Sequence, residues 1–487
     1  MGSSLGPPKG PSGSFFDAAA NTQFTIRSTP SGMVQQIEKK GLSSHYAVAY
    51  SIGSGAHGIG YLIQLRNHLF LSPLSYYPGR GWRLAPGYQN SNLVDFYRPV
   101  VPECLFCHAG APQPVPETLN TYKNPPFAAE AITCERCHGP AEAHMRDPVP
   151  GSIINPAKLP PNARDSVCEQ CHLMGAARIA NPGKNLSDFR PGEDLEDTFT
   201  VYVFVSTLNP RAPAPFKVIS QSQQLALSMC ARMSGGRLWC GTCHDPHREP
   251  SNPVAYYRSR CLSCHGVSLL KTHPKPNENC IACHMPRLPV VNGNHTVFTD
   301  HSIAIYPLQQ SGSHPPPKTT SADALVPWRN PPAAYQQRNL ALAEIRVGRH
   351  MKSVPLLKDG LQRLLACWSK FSNDPATLAG LGQVLYAAEE YKEAEAVYAH
   401  LIQIQPGVAI NYFQAGVVWE AAHDNSKAIG DLQKALELDP LLRLAYFQLS
   451  NTYHEAGDSE MVRQVFQRYL ETFPGDINAR LAEAANQ

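Results

Sequence analysis

Twelve of the fourteen cysteines fall into six units in which two cysteines stand three positions apart and a histidine follows the second at once. The first three are Cys104-Leu105-Phe106-Cys107-His108, Cys134-Glu135-Arg136-Cys137-His138 and Cys168-Glu169-Gln170-Cys171-His172. The others are Cys240-Gly241-Thr242-Cys243-His244, Cys261-Leu262-Ser263-Cys264-His265 and Cys280-Ile281-Ala282-Cys283-His284. At the Cys and His frequencies of this chain, chance supplies roughly 0.02 such pentads. The spacing has a mechanical reason. Two thiols three positions apart add to the two vinyl groups of one porphyrin, and the next imidazole reaches its iron. Zinc pairs do not need a histidine after every second cysteine, and thioredoxin-like redox pairs do not come in sixes. The motifs therefore predict six c-type haems, each tied by its two cysteines, with His108, His138, His172, His244, His265 and His284 as proximal iron ligands.

Of the 19 histidines, 13 remain for other work. Four lie in the C-terminal part (His350, His400, His423, His454) and nine precede them, enough to give every iron a second imidazole. Six of the nine are the expected distal ligands. His57 sits in Gly53-Ser54-Gly55-Ala56-His57-Gly58, where glycines permit close approach to a macrocycle. His144 follows His138 by six positions, too close for its own haem but available to a neighbour. His247 follows the fourth motif, His273 precedes the sixth, and His295 and His301 flank Thr299-Asp300. His45, His68 and His314 are expected to be ordinary imidazoles. Met174 and Met285 follow proximal histidines closely and are expected to pack rather than ligate. Cys367 reads as a small apolar residue. Cys230 leaves three readings open: a packed thiol, an iron ligand, or a reactive thiolate beside Arg232.

The elements that must carry these residues divide the chain in two. Of 44 prolines, 39 precede residue 340 and five follow it. Residues 1–40 are expected to be an extended or disordered arm. Residues 41–306 are expected to form the hexahaem domain, opening with a small antiparallel β element over 41–100. Its core is expected to be largely haem, with Glu196 to Ser206 as the clear strand candidate beyond the β element. Residues 307–332 read as a Pro-rich linker. From 333 to 487 the pattern is helical, with Pro406, Pro440 and Pro474 spaced by 34 residues, the tetratricopeptide-repeat (TPR) period. Columns at that period hold Leu378/Tyr412/Tyr446, Tyr398/Leu432/Phe466, Gly382/Gly416/Ser450, Ala394/Ala428/Val462 and Leu385/Trp419/Tyr453. Repeats are clear at about 375–408, 409–442 and 443–476, and Ala341 to Asn373 reads as a degenerate capping repeat. The fold class is thus multidomain: a loop-rich, haem-packed cytochrome domain followed by an all-α TPR superhelix.

The balance of 42 basic against 39 acidic residues gives no pointer to nucleic acid. No apolar run is long enough to span a membrane. Thioether haem attachment takes place outside the bacterial cytoplasm, so a periplasmic or extracellular location is expected although residues 1–20 lack the features of a secretory signal.

The motif set resembles the secreted multihaem c-type cytochromes that carry C-terminal TPRs. Its haem part resembles the tetrahaem electron-acceptor cytochromes of hydroxylamine oxidation. The residues that carry this are Cys137-His138-Gly139-Pro140 with His144, Cys171-His172-Leu173, Arg190-Pro191-Gly192, Cys243-His244-Asp245-Pro246-His247, Cys283-His284-Met285-Pro286 and Thr299-Asp300-His301. The resemblance implies closely packed haems, mostly with two histidines per iron, His144 and His301 among the distal ligands, and electron relay as the activity. Redox partner proteins or other cytochromes are the expected partners, with the TPRs serving docking, oligomerisation or assembly. Two other readings stay open. One is an oxidoreductase acting on nitrogen or sulfur compounds at a haem with an open distal side; no C-x-x-C-K motif is present. The other is a structural segment of a conductive cytochrome assembly.

Overall fold

The computed structural model describes residues 5–89, 94–206, 217–273, 279–290, 296–305 and 323–486. Residues 4–131 and 333–487 form one compact unit, and residues 132–332 belong to the second. The motif-bearing middle is therefore an insertion between two halves of a frame. This corrects the expected division, in which the N-terminal β element opens the haem domain.

The frame begins with an antiparallel meander: β1 (Gly13–Asp17), β2 (Thr22–Thr29), β3 (Gly32–Lys39), β4 (Leu42–Ile52), β5 (Gly60–Leu65) and β6 (His68–Leu71). Arg98–Pro99 adds a short seventh strand against β6. The expected arm over residues 1–40 is corrected by β1 to β3. Their inward positions alternate as a half-buried sheet requires, with Phe24, Ile26, Met33 and Ile37 buried. Polar side chains share that face. Gln35 is fully buried and accepts a hydrogen bond from Ser72 Oγ. Thr22 is also buried and donates to the Ala20 carbonyl.

The other half of the frame is a TPR-like array of antiparallel helix pairs. The helices Pro375–Ala387, Ala409–Ala421 and Arg443–Glu455 recur at 34 residues, as do Tyr391–Ile404, Asn425–Leu438 and Ser459–Thr472. Gln336–Met351 and Val354–Phe371 form the preceding pair and Ile477–Asn486 closes the array. Asp374, Asp424 and Asp458 cap the first turns of Pro375–Ala387, Asn425–Leu438 and Ser459–Thr472, each accepting a backbone N–H. The small-residue column has a packing cause. A Cβ at Gly382 would stand 2.6 Å from the Tyr398 ring, and one at Gly416 would stand 2.7 Å from Leu432 Cγ. Gly348 keeps the phase in the degenerate pair, where an added Cβ would stand 3.1 Å from Leu356 and Leu357.

The sheet and the end of the array share one core, in which Phe24, Tyr46, Phe96 and Tyr97 join Tyr446, Tyr469, Phe473 and Ile477. Tyr97 meets Phe473 edge-on with ring centres 4.9 Å apart. Arg443 ties the halves electrostatically, donating to Asp95 Oδ2 and to Asp476 Oδ2, each at 2.7 Å, and to Tyr469 Oη. His68, expected to be ordinary, is a structural residue of this joint, with Nε2 3.1 Å from Asp439 Oδ1. Replacing Arg443 by methionine would leave two carboxylates facing each other without their cation. A cost of about 3–5 kcal/mol is expected, read as a lowered urea midpoint for the frame's unfolding.

In the second unit, Phe199–Ser206 is the centre of a three-stranded antiparallel sheet, with Ala177–Ala180 on one side and Asp323–Pro327 on the other. The expected strand is present. The expected linker is corrected in part, because its final residues are this sheet strand and an anchor; residues 306–322 lie outside the described residues. Trp328 Nε1 donates to Glu169 Oε1 at 3.0 Å, and Arg329 bridges the buried Glu169 and Glu196 at 2.5 and 3.1 Å. Burial pushes both carboxyls up, against the pull of Arg329. Glu169 lies between the cysteines of the third motif, so this network fixes that motif from within.

Candidate cofactor-binding site

Each Cys-x-x-Cys pair lies on one turn of helix or at its edge. The turns are Pro102–His108, Glu135–His138, Pro161–His172, Cys240–Cys243, Pro253–His265 and Cys280–His284. Positions i and i+3 share one face of a helix, so both thiols of a motif present together with the histidine beside them. None of the fourteen cysteines is paired in a disulfide. The first motif belongs to the frame, where Leu105 packs with Leu62, Leu69 and Val100. The other five belong to the second unit.

The five inserted motifs are neighbours in chain order. Cys137 is within electrostatic reach of Cys168, and Cys168 shares a hydrogen bond with Cys240. Cys243 interacts with Cys264, and Cys261 with Cys243 and with Cys280, the last by a hydrogen bond. Burial and these neighbours push Cys261 up to about 11. Cys230 stands within the same group, beside Cys243 and Cys261. Cys367 is half-buried on its helix, its thiol donating to the Leu364 carbonyl.

Three proximal imidazoles each face a second histidine. The ring centres of His138 and His247 are 5.8 Å apart, those of His244 and His301 6.2 Å, and those of His273 and His284 6.1 Å. Two imidazoles that hold one metal ion between ring nitrogens about 2 Å from it have ring centres about 6 Å apart. Sequence reasoning named His247, His301 and His273 as distal candidates, and the structure brings each beside a histidine of a motif. The pairing itself was not readable, since His138 of the second motif takes its partner from beyond the fourth.

The other ring nitrogens are anchored. His138 Nδ1 donates to the Ile154 carbonyl at 2.6 Å, His284 Nδ1 to the Ala304 carbonyl at 3.0 Å, and His301 Nδ1 to the Thr299 carbonyl at 2.9 Å. A donor at Nδ1 leaves Nε2 as the free lone pair, which is how ligating histidines are usually held. Burial pushes His108, His172, His244 and His301 down, so each is held as the neutral imidazole a metal needs. These carbonyl anchors have no side-chain signature.

The remaining distal candidates are placed differently. His144 has Nδ1 2.8 Å from Ser152 Oγ, on the helix Glu142–Arg146. His57 lies in the frame, between β4 and β5, in the same unit as the first motif. His295 and His314 lie outside the described residues. His45 is exposed on β4. Met174, expected to pack, is 37% exposed.

The unit has an unusual interior. Among the described residues of 229–289, which carry three motifs, none is more than partly buried. Met229, Met233, Val254, Val267 and Leu269 are exposed there. Short helices of this kind are held by tertiary burial rather than by their own propensity, so the segment requires an apolar body to pack on. Among the described residues no three His, Cys, Asp or Glu side chains converge to hold a bare metal ion. Pairs of imidazoles suit a metal whose remaining ligands come with the cofactor. The donor set, the paired thiols and the uncovered apolar side chains all fit haem.

The helix pairs at a 34-residue period define the class of the C-terminal half as a TPR-like repeat array. Two solved structures similar to that part are MamA from Desulfovibrio magneticus RS-1 and a thermophilic TPR protein in Thermus thermophilus. The first is 19% identical, with 29% of this chain and 80% of that one covered and a TM-score of 0.26. The second is 18% identical, covering 29% and 79%, also at 0.26. The repeat assignment rests on the array's own period and packing. A curated relative, the UDP-N-acetylglucosamine–peptide N-acetylglucosaminyltransferase of Giardia intestinalis, is 28% identical over 133 residues. That match covers 25% of this chain, which spans 9% of the relative's length. No family model matches the sequence. Among the described residues no helix is long and apolar enough to cross a membrane.

Proposed function

We propose that this protein is an electron-transfer multihaem c-type cytochrome that relays electrons through six covalently bound haems, most of them ligated by two histidines. The observation that carries the reading is the coincidence of six C-x-x-C-H motifs with three proximal histidines that each face a second imidazole at about 6 Å. When bound, haem supplies an iron that cycles between ferrous and ferric states. The chain's residues do the rest. The cysteine pairs would tether each group, the facing histidines would supply nitrogens to its iron, and the carbonyl anchors orient those imidazoles. Thiols of successive motifs among the five inserted ones are neighbours, so groups attached there would follow one another in chain order. A centre held by two histidines would leave no open position for a substrate, which favours relay over catalysis at the three paired sites.

The repeat array is a scaffold for protein–protein contact, and a redox partner or a further cytochrome is the reading for what it docks. Attachment chemistry argues that the working protein sits outside the cytoplasm. The test is a haem count by pyridine haemochrome, together with intact mass, on protein made in a host that attaches haem c. Six haems per chain are expected. A chain that matures without any covalent haem would remove the reading.

A further inference from the structure

The proximal histidines of the three facing pairs are not anchored alike. His138 and His284 give their Nδ1 hydrogens to main-chain carbonyls, at 2.6 and 3.0 Å. His244 does not: its Nδ1 stands 3.2 Å from Tyr257 Oη, and the two rings meet edge-on with centres 5.5 Å apart at 67°. If Nε2 of His244 is committed to iron, Nδ1 carries the hydrogen and donates it, so the phenol oxygen is the acceptor. The strength of that acceptor governs how basic the ligating nitrogen becomes. A carbonyl oxygen draws the hydrogen strongly, enriches the imidazole in electron density and favours ferric iron. A phenol oxygen, its lone pair shared with the ring, draws it less.

We infer that Tyr257 is a positioning residue that tunes the group held by Cys240, Cys243 and His244, leaving it easier to reduce than a carbonyl anchor would. The inference rests on the haem reading above and goes beyond it by assigning a residue outside every motif to one redox centre. Tyr257 is well placed for this. It lies on the helix Pro253–His265, one turn before Cys261, so a single rigid element orients the imidazole of the fourth motif and carries the thiols of the fifth. Among the five inserted motifs the fourth is the middle one. A raised potential there makes it the place where electrons rest between the two ends.

The test is a spectroelectrochemical titration of the haem-loaded full chain, comparing wild type with Tyr257→Phe and Tyr256→Phe. Tyr256 is the control: it loses the same hydroxyl from the same helix, where it bonds Arg260 rather than a histidine. Removing the Tyr257 acceptor should move one of the six components to higher potential and leave the other five in place, while Tyr256→Phe moves none. Six bound haems and an unchanged titration in Tyr257→Phe would overturn the inference and leave the relay reading intact. Movement of several components, or loss of a haem, would assign Tyr257 a merely structural part and overturn it as well. A wild-type chain with no haem at all would remove both.

Discussion

On the proposed haem reading, replacing His301 by alanine should turn one low-spin ferric centre into a high-spin one, with all thioether links intact. The two events separate because the residues are different. Attachment depends on Cys240 and Cys243, whereas the spin state depends on what faces His244 across the metal. His301 is the only imidazole seen facing it among the described residues, at 6.2 Å between ring centres, and its Nδ1 is already engaged with the Thr299 carbonyl. Alanine offers no ligand, and the iron is left with one strong axial donor or with water in the second place. Low-temperature electron paramagnetic resonance on the oxidised protein reads the change directly. One sixth of the iron should move to the high-spin region. The exposed His45 gives the control, since His45→Ala should leave the spectrum as it is. If His301→Ala also leaves every centre low-spin, the pairing with His244 is wrong.

The second large effect concerns the chain made without haem. Ordering a residue's backbone costs roughly 1–2 kcal/mol, and burial of apolar surface is the main offsetting term. Residues 229–289 bury no side chain more than partly among those described, so little in the polypeptide alone offsets that cost. The frame is different: it holds a continuous core with Phe24, Phe96, Leu432, Tyr446 and Phe473 nearly or fully excluded from water. Limited proteolysis of haem-free chain should therefore cut first within 229–289, faster by at least about two orders of magnitude than in the frame, since open segments have opening free energies near zero. Haem-loaded chain should resist at the same sites. Equal resistance of the two forms would show that the segment finds its order without a cofactor.

What could be read from the sequence was what is local. The thiol and imidazole spacing needs five consecutive residues, and the repeat columns need only a fixed period. Both are visible without knowing any long-range contact. The small column at Gly382 and Gly416 was legible as a pattern, and its cause, the ring of Tyr398 and the side chain of Leu432, came with the packing. The strands β1 to β3 were missed because Thr22 and Gln35 stand on their inner face and weaken the alternation of apolar and polar residues. The joint between sheet and array was missed for a plainer reason. Asp95 and Arg443 meet across most of the chain's length, and no local signal announces such a partner. The facing histidines were legible as a supply of ligands but not as pairs. Their carbonyl anchors on Ile154, Thr299 and Ala304 carry no residue-type signal at all, because any residue has a carbonyl.

The insertion of the motif-bearing unit between the two halves of the frame has a consequence for the order in which the molecule is made. A chain synthesised from its N-terminus completes the meander early, yet Arg443, Phe473 and Ile477, which close against it, come last. All six motifs are thus made before the residues that close the frame's shared core. Joining two ends across an insert of this length adds little to the entropic cost, because that cost grows only with the logarithm of the loop. If the motifs take haem as proposed, the frame could close after that chemistry as readily as before it. The closing of the frame is in this way set by the path of the chain to come after the inserted unit is made.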